Sequence, residues 1–588
     1  MRELRKLLRT MAWLGLIAVG GGSGGVRQTT AHAADQADST GKQAAENHDV
    51  QAEAEAFLTR YQTEFARLEI QANLASWKAA NSGRAEDFAE SAAAALMLRK
   101  LHSDRDAFQR VQNLLQAADP LTPVQRRTLQ LAALEYRRNQ LSAESLEQLV
   151  HLSKKIERTF STFRGELDGQ SLSNNQLLER LRNERDSSRR QAMWESLKSV
   201  GSAVAPQLVQ LAKLRNAAAR SLGFENFWDM EIRLQEHDPP QILAVFDELE
   251  RLTREPFSQA KAEIDRARAA RFGVATDALW PWHYDNPFFQ DAPPSDQVDL
   301  NEFYQGKSRE QIVQIAREFY RGIGLPADEV LRRSDLYERE GKDQHAFCTS
   351  IDRAGDVRTL CNIKPTAEWM DTTLHELGHA VYELGIDPAL PYVQRMPAHA
   401  FTTEGVAMLF GALGKHPTWL VTSAGADPQR VQERASAILE QRRREQLVFA
   451  RWTLVMLHFE KSLYENPEQD LNARWWEYVT RFQQLRQPPA RQAPDWASKP
   501  HFTIAPVYYH NYMLGELFAA QLRHVLAKRW GHPGKTVELR FDGRREFGDF
   551  LRQHVFRPGA AQPWPEFVQT ATEEPLSPRY FAAEVAGH

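Results

Sequence analysis

Apolar residues recur at helical spacing along nearly the whole chain after residue 50, and one short pair of segments alone reads as extended. Side chains three and four apart share a helix face, so such a chain must fold by burying stripes of helix against helix. The patterns cover about 50–115, 123–165, 174–232, 240–272, 309–323, 366–384, 403–414, 428–466, 471–485 and 509–530. Proline-rich breaks at Pro239-Pro240, 281–294, 388–397 and 487–494 read as loops. No low-complexity boundary follows residue 50. The expected fold is therefore all-α: one large helical domain over 49–588, with two lobes around a deep central groove and a small β-hairpin. Hydrophobic residues make up 42% of the chain, enough for a large core, and the formal net charge of −4 gives no case for nucleic acid or anionic membrane as partner. Arg-rich runs such as Gln441 to Glu445 read as solvated helix faces. There is no phosphate-cradling glycine loop, no zinc-ribbon cysteine pair and no short repeat.

Residues 1–33 read as an export signal. Arg2, Arg5, Lys6 and Arg9 precede a short apolar core, Met11 to Gly20, and Ala31-His32-Ala33 offers a cleavage site. The core is shorter than the ~20 residues a membrane-spanning helix needs. The alternative is an uncleaved anchor. Residues 34–48, rich in Ala, Asp, Gln, Ser and Lys, read as a disordered leader. The expected location is periplasmic or secreted, without stable membrane insertion, and the oligomeric state is open.

His375-Glu376-x-x-His379 lies inside a segment that starts at a capping Thr366 and stops at Gly385 and Pro388. On one helix the two imidazoles, four residues apart, can converge on a single ion. Zinc suits that pair and needs a third protein ligand beside an open position. Glu376 would be the general base on the attacking water. Glu404 opens the next helix, where zinc peptidases of the glutamate-ligand kind carry their third ligand.

Cys348 and Cys361, the only cysteines, flank an Asp/Gly turn just before that helix. In an exported chain they most economically form one disulfide; the alternative is two buried thiols. Their flanks read as a hairpin, whose edge strand could pair with a peptide's main chain, with Ser350 on it as a substrate-binding residue. A second stretch, Asp495 to Tyr512, carries Lys499, His501, Tyr508, Tyr509 and Tyr512. A His and a Tyr hydroxyl aimed at a developing oxyanion would stabilise it; the alternative is an aromatic packing cluster at a helix start.

These residues, in this order, resemble the angiotensin-converting-enzyme family of zinc peptidyl-dipeptidases over most of the mature length. The likeness also rests on Ala75-Ser76-Trp77 with Asn81, and on Asn216-Ala-Ala-Ala-Arg220 with Gly223-Phe224. It continues through Trp475-Trp476, Phe482-Gln483, Pro488-Pro489-x-Arg491, Lys499-x-His501 and Pro563-Trp564-Pro565-Glu566. The resemblance implies His375, His379 and Glu404 as ligands of one zinc per chain, Glu376 as base and later acid, and His501 and Tyr512 as oxyanion donors. Lys499 and Tyr509 would bind the C-terminal carboxylate of an oligopeptide substrate. That tyrosine assignment needs one extra residue after His501; without it Tyr508 replaces Tyr509 and Asn511 falls at the catalytic tyrosine.

Three departures stand out. Trp280 to His283 offers no Gln to share the carboxylate, Met408 stands where the family orients a zinc histidine with Asp, and Val479 and Asn511 stand where it has chloride-binding arginines. Chloride activation is therefore doubtful. Two other functions stay open: an endo-acting oligopeptidase like the thimet and oligoendopeptidase families, and a non-catalytic helical peptide-binding protein.

Overall fold

The computed structural model describes residues 36–586 apart from 118–119, 296, 535 and 537–538, with side chains from residue 49 on. The export-signal reading of 1–33 lies outside the described residues. The chain is 70% helical, with two small two-stranded sheets among the described residues. One contiguous apolar core runs from Ala54 to Val585. Among the described residues no helix is long and apolar enough to cross a membrane.

Helix α1 spans Gln36–Ser82, so it begins within the stretch expected as a disordered leader, whose Ala, Gln and Glu are good helix formers. It stops at Gly83, which is left-handed at φ 66°, and α2 follows over Ala85–His102. The pattern read as continuous over 50–115 breaks again at Asp104, whose carboxylate accepts from the amides of Asp106 and Ala107 and starts a new helix. Asp186 and Asn226 divide 174–232 in the same way. Caps cut the backbone without shifting the apolar phase, so periodicity alone runs through them.

Strands β1 (Gly165–Leu167) and β2 (Gln170–Leu172) form a hairpin that the helical patterns conceal. Asp168 and Gly169 both take positive φ, as a two-residue hairpin turn requires. The hairpin covers a satellite core of Leu167, Leu172, Leu177, Leu181, Met193 and Leu197.

Strands β3 (Phe347–Ser350) and β4 (Val357–Leu360) are the expected hairpin beside the motif helix. Cys348 stands opposite Thr359 and Phe347 opposite Leu360, so Cys361, one residue past β4, is diagonal to Cys348. The expected disulfide does not form, and both thiols are buried. Diagonal partners in an antiparallel pair lie ~7–8 Å apart, whereas a disulfide needs Cα atoms within ~6.8 Å. The outer edge of β4 is occupied: the Asp335 amide donates to Thr359 O at 3.1 Å and the Cys361 amide to Asp335 O at 2.8 Å. That leaves β3 as the outer strand, lying against the motif helix.

Four helices complete the frame: α3 (Ala367–Gly385), α4 (Ala400–Gly411), α5 (Pro428–Glu465) and α6 (Tyr509–Arg529). Thr366 caps α3, its hydroxyl accepting from the Trp369 amide at 3.2 Å. The α4 helix starts three residues earlier than its apolar pattern because the His399 ring accepts from the Phe401 amide. Glycines set the crossings. A Cβ on Gly378 would lie 2.9 Å from the Ala407 Cα, and one on Gly405 would lie 2.8 Å from the Gly515 carbonyl. Backbone thus packs on backbone where α3 meets α4 and where α4 meets α6.

Candidate active site

The α3–α4 crossing brings His375, His379 and Glu404 together. His375 Nε2 and His379 Nε2 are 3.2 Å apart, and Glu404 Oε2 lies 3.7 Å from the first and 3.9 Å from the second. A triangle with those sides has one point about 2.1 Å from all three atoms, within the ~2.0–2.2 Å of zinc–nitrogen and zinc–carboxylate bonds. Among the described residues this is the one group of three or more such side chains able to share an ion. Two imidazoles and a carboxylate suit zinc, and all three residues are buried, so the residues present fit the metal.

The far nitrogen of His379 is held too. Its Nδ1 lies 2.7 Å from the Thr403 hydroxyl, which fixes the ring so that Nε2 faces the cluster. Thr403 immediately precedes Glu404, so one turn of α4 supplies both a ligand and a support. The sequence reading missed it, having looked for an Asp at 408. Met408 instead lines the cleft described below.

Glu376 is buried and lines a small enclosed pocket with His379, Thr403, Glu404, Phe347, Cys348 and Tyr508. Burial and the nearby Glu383 and Glu376 carboxylates push the Cys348 thiol well above its usual range. It is an inert wall of this pocket, not a nucleophile.

On the other side of the cluster opens a cleft of about 570 Å³. Each of the four helices gives it one stripe at i, i+3, i+4 spacing: Glu368, Asp371, Thr372 and His375 from α3; Glu404 and Met408 from α4; Gln441, Glu445 and Phe449 from α5; Tyr512 and Glu516 from α6. The loop 290–301 closes it, and Asn301 caps α3 by accepting from the Ala367 amide at 3.2 Å.

Lys499 is fully buried, its ammonium donating to Gln290 Oε1 at 2.6 Å and lying 5.5 Å from the Tyr509 ring centroid. Gln290, seven residues after His283, is buried and lines the cleft. Gln290 Nε2 is buried and has no hydrogen-bond partner among the described residues. His501 packs on Tyr509 with ring centroids 4.7 Å apart, and Tyr509 on Tyr512 at 5.4 Å. Tyr512 lines the cleft beside Glu404, whereas Asn511 turns away, donating to Gln235 at 2.7 Å. The alignment with one extra residue therefore puts a tyrosine at the cleft, and the ungapped one would put Asn511 there, facing elsewhere. Tyr508 lines the small pocket instead.

Val507, just before the tyrosines, is left-handed at φ 51°, and its amide donates to Glu460 at 2.8 Å. Burial pushes the Glu460 carboxyl up to about 8. Ser350 lies at the far end of β3, where its carbonyl accepts from Asn73 of α1 at 3.1 Å. The strand residues that face the two openings are Ala346, Phe347 and Cys348. Ser350 is not among them, because its end of the strand is tied to α1.

A search of curated proteins finds no match. The family model described as Angiotensin-converting enzyme matches residues 48–258, so the resemblance read from the sequence is upheld over the N-terminal part. The model of Peptidase family M3 matches residues 180–587, which include the whole metal cluster, Gln290, Lys499 and the tyrosines. Both are families of zinc metallopeptidases. With more than half of its length matched, and with a buried two-histidine, one-glutamate cluster at the floor of a cleft, the chain belongs to Peptidase family M3.

Proposed function

We propose that this peptidase releases C-terminal dipeptides from oligopeptides, and the observation that carries the reading is the buried Lys499–Gln290 pair, whose Gln290 lines the cleft. A buried ammonium next to an amide donor with no partner is suited to a carboxylate, and a substrate's free C-terminus is the carboxylate that enters such a cleft. Tyr509, whose ring lies 5.5 Å from the Lys499 ammonium, would add a hydroxyl donor.

His375, His379 and Glu404 would hold a zinc ion, which would supply Lewis-acid chemistry at this site. Glu376, next to the first ligand, takes the proton of the attacking water on a carboxylate oxygen and later returns it to the leaving amine. Tyr512 and His501 donate to the carbonyl oxygen as negative charge grows there. The basic and apolar pattern of residues 1–33 supports a periplasmic or secreted location.

A second reading, internal cleavage, is favoured by the M3 match, since that family consists of endo-acting oligopeptidases. One internally quenched peptide, as free acid and as C-terminal amide, separates the two. Chelator-sensitive dipeptide release from the free acid alone, lost in E376Q, supports the proposal. Equal cleavage of both forms would replace it with the endopeptidase.

A further inference from the structure

The cleft carries a second feature that the hydrolytic reaction leaves unused. Gln441 of α5 is buried, with 7% of its surface exposed, and lines the cleft. Its Nε2 donates to Glu445 Oε1 at 3.0 Å, and since a carboxylate can only accept, this fixes which end of the amide is which. The other end, Gln441 Oε1, is therefore an acceptor with no partner among the described residues. A buried carbonyl beside a carboxylate calls for a ligand rich in donors. The next residue, Arg442, lines the same cleft, where its charge acts through space on Glu584, Glu516 and Asp371.

The surrounding charge has the same sense. Besides Glu404, the lining includes Asp291, Asp299, Glu368, Asp371, Glu445 and Glu516, against Lys415 and Arg442. Lys415 is already taken by Asp371. Among the lining residues seven carboxylates stand against two basic groups, so the balance stays negative even with two charges allowed for a divalent ion. Trp369 and Phe449 line the same space and would pack the alkyl stem of a long cationic side chain.

We propose that Gln441 and Glu445 form a subsite for a lysine or arginine side chain of the substrate, so that the enzyme selects peptides cationic near their C-terminus. This rests on the dipeptide-releasing reading for the direction of the peptide. Gln290, His375, Gln441 and Glu445 line one cleft, so the selected position is sought among the last two residues of the peptide.

The test uses labelled peptides that differ only in one of their last two residues, which is lysine, norleucine or glutamate. Binding to the full chain carrying E376Q is read by fluorescence anisotropy, and turnover by the unsubstituted enzyme is read in parallel. At low ionic strength the lysine peptide should bind at least tenfold more tightly than the glutamate peptide. Added salt should shrink that ratio, and E445K should cut it severalfold or invert it. Equal affinities across the series, or a preference for glutamate, would overturn the subsite. Charge-ordered binding with no turnover of any peptide would support the subsite and sink the dipeptide-releasing reading instead.

Discussion

Gly378, between the two histidines of the motif, offers the sharpest test of how the metal cluster is built. In G378A the new methyl would lie 2.9 Å from the Ala407 Cα and 3.1 Å from Phe410 Cδ2. Carbon atoms pack best at ~3.5–4.0 Å, so α4 must retreat by about 0.7 Å. If Glu404 moves with it, the two carboxylate-to-imidazole distances grow from 3.7 and 3.9 Å by that amount. The point equidistant from all three ligands then recedes from about 2.1 Å to about 2.4 Å, beyond the zinc–carboxylate range. Strain of this kind costs ~1–3 kcal/mol of stability. Ligand displacement should cost on the order of 10–100-fold in zinc affinity, the scale seen when supporting contacts of a metal site are lost. Competition against a chromophoric chelator measures the affinity, and thermal melts of the chelated protein measure the strain alone. Wild-type zinc affinity in a folded G378A protein would refute the claim that glycine contact sets the cluster.

Other outcomes can be checked more simply. K499M should lower kcat/KM on free-acid peptides about a hundredfold, as expected for a lost charge-assisted contact of ~2–3 kcal/mol, and a loss below twofold would remove Lys499 from substrate binding. Glu135, Glu383 and Glu460 are each pushed up to about 8 by burial, so the folded chain keeps protons that the unfolded chain has released near pH 4.5. Stability from these groups falls as pH rises toward 8 and levels above it; in E460Q the decline of Tm between pH 6.5 and 8 should be shallower, and an unchanged slope would contradict the assignment. Alkylation of air-exposed, non-reduced protein after unfolding should add two adducts per chain, at Cys348 and Cys361, whereas no adducts would mean that the hairpin can shift register and close the disulfide.

The cluster was legible in the sequence because its parts are local: His375, Glu376 and His379 share one helix, and Glu404 opens the next. The all-α class was legible from periodicity, but element boundaries were not, since caps such as Asp104 leave the apolar phase intact. The Asp168-Gly169 turn was readable and went unused. Gln290 could not be found, because it lies in a proline-rich loop 209 residues before Lys499 and only folding joins them. The cysteine pair misled for a related reason. Proximity in sequence does not reveal register, and a two-residue offset separates a bridgeable pair from an unbridgeable one.

The crossings at Gly378, Gly405 and Gly515 have a consequence for how this scaffold can diversify. Spacing between the motif helix and its neighbours is dictated where no side chain exists, while Glu368, Glu445 and Glu516 line the cleft and are not among the side chains at those glycine contacts. A mutation at Glu445, Glu368 or Glu516 therefore alters what the groove welcomes without disturbing the helix separations that locate the ligands. Descendants could drift from one diet of peptides to another by single substitutions, each step leaving the hydrolytic machinery in register. Selection should accordingly tolerate turnover on the stripes and forbid it at the three glycines.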